Sequence, residues 1–196
     1  MKIMTKKINL KITIEETAER HPVPVLGTDY KVKIIYKNVK VAELDVEDKI
    51  IKISLPNKYK KANNERILDI AIDKMYEQIA KVEVERAMEK TRILLGFAPE
   101  DYEIRKMSEE LGRCEENKIT INPEIVKYDR EVIDYIVLHE YCHLKYKSHC
   151  KSFIKMLEKY DPDYKKYERS GRSYERTFGK IGWSFILFRY DGSERE

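Results

Sequence analysis

Glycine and proline are scarce in this chain of 196 residues, at 7 and 6. That excludes collagen-like and low-complexity classes. No apolar run approaches the roughly 18 residues of a membrane span, and mean hydropathy is −0.64, so no membrane partner is expected. Cysteine is limited to Cys114, Cys142 and Cys150, an odd set with no C-x-x-C. This points to a reducing cytoplasmic compartment rather than a disulfide framework. The opening MKIMTKKINLKITIEE alternates apolar with charged residues, so no signal peptide is predicted. Excess charge is also missing: 39 Lys+Arg against 35 Asp+Glu leaves +4, too little to imply nucleic acid by itself. What is present is 42% hydrophobic and 38% charged residues, enough for one folded domain, with or without a small attachment. Histidine is the telling scarcity. The chain has four, and three fall within residues 139–149.

The pattern along the chain predicts an α+β fold with a β-rich N-terminal part. Ile8, Leu10, Ile12 and Ile14 alternate with polar residues as in a half-buried strand. Further strands are expected over Tyr30–Tyr36, Lys40–Leu44 and Ile50–Leu55, with a turn at Asp45–Asp48. Asn63 or Asn64 can cap a helix carrying Ile67, Ile70, Ala71, Met75, Ile79 and Ala80 on one face. A second helix is expected over Val84–Leu95, ended by Gly96 and Pro99. Tyr102–Met107 and Lys118–Asn122 read as a hairpin. Asp129 can cap a helix reaching about Lys147, and Ser148 can cap a following one that Asp161-Pro162-Asp163 stops. Ile181–Phe188 reads as a last strand. The expected division is a β-rich region over 1–57, a metallohydrolase core over 58–168 and a tail over 169–196.

His139-Glu140-Tyr141-Cys142-His143 is an H-E-x-x-H pattern on a predicted helix. His139 and His143 fall about 40° apart on the helical wheel, so both imidazoles can reach one metal ion. Glu140 is turned about 100° from His139, where a carboxylate can flank the metal without binding it. Zinc lowers the pKa of bound water to about 7, and such a carboxylate can take the proton as the water attacks a carbonyl. A catalytic zinc site uses three protein ligands and one open position. His149 supplies a third if the helix breaks near Lys147, and a Ser148 cap would place it in the next helix's first turn. Ile133, Val137, Tyr141 and Leu144 lie opposite the histidines, with Val132 and Ile136 beneath them. A helix apolar on both sides is central, as the wall of a buried metal pocket must be.

Two blocks of sequence resemble the YgjP-like and SprT-like minimal zinc metallopeptidases, relatives of the gluzincins. One runs from Glu131-Val132-Ile133-Asp134-Tyr135 through His139, Glu140, His143 and His149 to Phe153 and Pro162-Asp163-Tyr164. The other is Leu111-Gly112-Arg113-Cys114, standing where the family has a Trp-Gly-Ser-Cys turn before a core strand. The resemblance implies zinc held by His139, His143 and His149, with Glu140 as general base. It also implies a β-rich start, a helix, a short sheet and then the metal helix, a zincin-like core. Leu111 stands in place of the Trp and Arg113 in place of the Ser.

Other candidates remain. Glu158 or Glu168 could provide the carboxylate ligand of a gluzincin-type site; His149 is preferred to Glu158 on spacing and resemblance. Cys142 points about 60° away from His139 and reads as a packed small hydrophobe; Cys114 is expected in the core. Arg113 could stabilise an oxyanion or bind a phosphate or carboxylate, or be a solvated turn arginine. His21 reads as a loop residue. Nine Lys and Arg against four acids over residues 141–172 form a solvated face or a nucleic-acid surface. The sequence therefore predicts a cytoplasmic zinc metallopeptidase acting on a peptide or protein. The alternatives are a nucleotide or phosphoanhydride hydrolase with the same site, and a nucleic-acid-associated zinc protein.

Overall fold

The structure is a computed structural model that describes residues 15–16, 22–60, 64–108 and 110–167. The alternating stretch Ile8–Ile14, the cap Asn63, His21, Glu168 and the whole tail from 169, with its expected strand, lie outside these residues. The architecture is α+β, with two sheets and three α-helices among the described residues. It divides into two compact units. Of the described residues, one unit takes Asp29–Ala71 with those before Pro24; the other takes Pro24–Thr28 and those from Ile72 on.

The first sheet contains β1 (Glu15–Glu16), β2 (Val23–Val25), β3 (Thr28–Lys37), β4 (Glu43–Glu47) and β5 (Ile50–Pro56). Its order is β1-β3-β5-β4, with β2 beside β3. β3 and β5 are parallel, pairing Val32 with Ile51, Ile34 with Ile53 and Tyr36 with Leu55. All six side chains are buried, as a period of two on one face requires. The expected strand at Lys40–Leu44 is displaced to Glu43–Glu47. Asp48 and Lys49 both have positive φ, 48° and 61°, which makes them the two-residue turn joining β4 to β5. Asp45 is therefore a strand residue, paired with Lys52.

α1 (Asn64–Leu95) is one helix of 32 residues, where two had been expected. Nothing between its ends can break it, because it holds neither glycine nor proline. It stops before Gly96, which adopts φ +74° and donates its N–H to the Arg92 carbonyl.

The second sheet has the order β6-β8-β7, from β6 (Asp101–Ile104), β7 (Gly112–Glu115) and β8 (Lys118–Ile121). β7 was not expected. The segment that read as a turn is an edge strand, antiparallel to β8 across Glu116 and Asn117, whose φ values are 45° and 64°. The expected hairpin partner β6 instead runs parallel to β8. α2 (Arg130–Lys145) packs on β7 and on α3 (Lys151–Tyr160). Asp129 holds the N-cap position of α2, but its side chain makes no cap hydrogen bond. Every α2 residue from Tyr135 to Cys142 is buried, as are Val132 and Ile133. The helix is central, in keeping with its two apolar sides.

Candidate metal centre

α2 breaks after Lys145, where Tyr146 is extended and its N–H closes the last turn on the Cys142 carbonyl. The N-cap of α3 is Cys150, not Ser148, so His149 sits in the connection and not in a helical turn. An extended Cys150 starts the helix one residue after the histidine. The irregular backbone lets the ring fold back over α2.

The three histidines meet. Their nearest ring nitrogens all lie within 4.8 Å of one another. His139 Nε2 is 3.2 Å from His143 Nε2 and 3.0 Å from His149 Nε2. Three nitrogens each about 2.0–2.1 Å from a tetrahedral zinc would be about 3.3 Å apart, so the spacing suits one ion. Proton accounting favours it too. His143 Nδ1 lies 3.0 Å from the Tyr146 carbonyl oxygen, which can only accept, so Nδ1 carries the hydrogen and donates. In the neutral ring, His143 Nε2 is then a bare lone pair. A single N–H on His139 Nε2 can satisfy only one of its two neighbours, and a cation between the rings satisfies all three. Burial disfavours the charged form of each ring. Burial lowers His139 well below its ordinary value, lowers His143, and brings His149 down to about 4. His139 Nδ1 is buried without a hydrogen-bond partner among the described residues. The donor set fits a borderline-soft divalent ion.

Glu140 is 3% exposed. Burial, and then the nearby Glu110 charge, push its carboxyl up to about 8, with Arg113 pulling the other way. The edge strand β7 lies directly over it. A Cβ on Gly112 would stand 2.7 Å from Glu140 Oε1 and 2.8 Å from its Cγ, so only glycine permits this approach. In sequence Gly112 reads as a turn glycine; its real constraint is tertiary.

The remaining candidates lie elsewhere. Glu158 is exposed on α3 and pairs with Lys165 at 3.6 Å, outside the convergence of rings. The Arg113 guanidinium is paired with Glu110 and, at 3.4 Å, with Glu115. Two carboxylates occupy it, and its charge reaches Glu140. Cys142 is fully buried, its thiol pushed up to about 12 by burial. Cys114 is half-buried, not core, because β7 is an edge strand; burial raises its thiol to about 11. Cys150 is exposed. Sequence reasoning missed Phe153 as a neighbour of the site. It is fully buried and its ring lies 4.7–4.9 Å from all three imidazoles.

The model of one family, described as YgjP-like, metallopeptidase domain, matches residues 2–173. The chain belongs to the YgjP-like family. It therefore carries a metallopeptidase domain, and the family together with the histidine triad implies a metal ion. Two solved structures are similar. One is the metallopeptidase zymogen abylysin of Pyrococcus abyssi, 25% identical over 50% of this chain and 98% of that one, with a TM-score of 0.43. The other is the metallopeptidase zymogen jannalysin of Methanocaldococcus jannaschii, 22% identical over 47% of this chain and 89% of that one, also at 0.43. No curated protein matches the chain. Among the described residues, no helix is long and apolar enough to cross a membrane.

Proposed function

We propose that this YgjP-like protein is a zinc-dependent peptidase in which His139, His143 and His149 hold the ion and Glu140 is the general base. The observation that carries the reading is the convergence of three histidine ring nitrogens at 3.0 and 3.2 Å, next in sequence to a buried carboxyl. Zinc, when bound, polarises the scissile carbonyl and acidifies water.

The chain's own residues do the rest. The Tyr146 carbonyl fixes the His143 tautomer, which would leave Nε2 free to hold the ion. Glu140 takes the proton of the attacking water and passes it to the departing amine. Burial raises the carboxyl in the metal-free protein; a bound cation would favour the charged form that the first step needs. Burial beneath Gly112 keeps it from bulk solvent. The peptide is the substrate class that fits a metallopeptidase domain. The cytoplasmic location and the three-part division remain part of the proposal, the first resting on the odd, unpaired cysteines.

Metal analysis of the wild type beside His149→Ala tests the reading. We expect one zinc per chain in the wild type and a strongly weakened site in the variant. A panel of peptides and nucleotides should show peptide turnover alone. Wild-type protein prepared with ample metal that retains no tightly bound divalent ion would falsify the reading.

A further inference from the structure

The four rings of the centre form a nearly regular tetrahedron. The histidine centroids are 4.9, 4.9 and 4.7 Å apart. Phe153 is the fourth vertex, at 4.9 Å from His139, 4.7 Å from His143 and 4.7 Å from His149. It meets His139 and His149 with its ring inclined at 69° and 77°, and His143 at 38°. Among the described residues no other aromatic ring meets all three. Phe153 is fully buried whereas His143 and His149 are partly exposed, so it closes the protein side of the cluster and leaves the solvent side free.

A metal-binding imidazole is normally oriented by a hydrogen bond from its second ring nitrogen. His143 has one, to Tyr146. His139 has none, because its Nδ1 is buried and unpartnered among the described residues. What touches the His139 ring instead is aromatic: Phe153 at 4.9 Å, and Tyr135 at 6.0 Å and 67°. Edge-to-face contacts of this kind carry a definite orientation preference.

We propose that Phe153 is the positioning residue of the metal centre, an aromatic wedge that orients His139 in place of a hydrogen bond and keeps the three ring nitrogens converged. The inference rests on the metal-site reading above. It concerns the affinity and geometry of the site, not the chemistry of Glu140.

The test compares the full-length wild type with Phe153→Leu, Phe153→Met and Leu157→Ala. Leu157 is the fully buried residue one turn further along the same helix. Zinc affinity is read by competition with a chromogenic chelator, and site geometry by the visible absorption of the cobalt-substituted protein. Phe153→Leu should weaken zinc about 10- to 100-fold, the range seen when a ligand's supporting partner is lost. It should also shift and weaken the cobalt bands. Phe153→Met, whose flexible side chain fills the space, keeps the fold intact and should show the same loss. Leu157→Ala should lower the melting temperature while affinity and spectrum stay at wild type. Folded Phe153 variants with wild-type affinity and spectrum overturn the proposal. So does a Leu157→Ala loss of affinity equal to that of Phe153→Leu, which would reduce the effect to general packing. A wild type that binds neither metal removes the metal-site reading itself, and this inference with it.

Discussion

Glu83 and Glu140 are both buried, at 5% and 3% exposure, yet their surroundings are opposite. Glu83 on α1 accepts from Arg130 Nε at 3.0 Å and Nη2 at 2.6 Å, and from Arg86 Nε at 3.0 Å. The Arg130 bonds hold its carboxyl below the ordinary value. Glu140 on α2 has no such donor among the described residues. Burial drives it up to about 8. A buried charge that is fully paired joins two helices; one left unpaired costs stability and is kept for some other reason. Perturbed groups of the second kind mark functional sites. The difference separates a paired carboxylate that ties α1 to α2 from a carboxyl on α2 that lacks such a pairing.

The comparison breaks most visibly if Glu140 is replaced. Glu140→Gln should cut peptide turnover about 10²- to 10⁴-fold, the usual contribution of a general base. Zinc content should stay at wild type. Thermal melts of the metal-free protein near neutral pH should show stability unchanged or raised, since an amide needs no proton taken up on folding, whereas a carboxyl raised to about 8 does. Turnover at the wild-type rate would remove Glu140 from the chemistry.

Gly112→Ala sharpens the same side without replacing Glu140 itself. The new methyl would meet Glu140 Oε1 at 2.7 Å, so the carboxyl or β7 must shift. A misplacement of about 1 Å can cost on the order of 10²-fold in rate, and we expect a loss of that size. Zinc content should be unaffected. Wild-type kinetics in this variant would show that the strand yields freely.

How much of this could be read in advance follows from which features are local. His139, Glu140 and His143 were legible because a helix has a fixed period and the three positions lie within one and a half turns. His149 was legible as a ligand candidate but not in its setting, since a capping serine was available and Cys150 took the place instead. β7 was illegible because Gly112 and Cys114 are its inward residues, which give no apolar alternation; its register comes from pairing with β8. Glu83 carried no signal at all. A glutamate in a helix reads as solvated until its partner, 47 residues away, is known. Phe153 was visible as an apolar position, but its meeting with three histidines is purely tertiary.

The smallest effect belongs to the paired carboxylate. Glu83→Gln should destabilise the protein by about 1–2 kcal/mol near neutral pH, less than a fully buried ion pair would lose, because the Arg130 side chain is 60% exposed. The pH dependence fixes the assignment. Glu83 has a folded pKa below 4.5, so its contribution is complete above the ordinary carboxylate value and fades as pH falls through the lower folded one. Urea unfolding of wild type and variant should therefore differ at neutral pH and converge as the pH falls below the ordinary carboxylate value. A gap that persisted in acid would mean that Glu83 acts by shape and not by charge, and the contrast with Glu140 would lose its electrostatic basis.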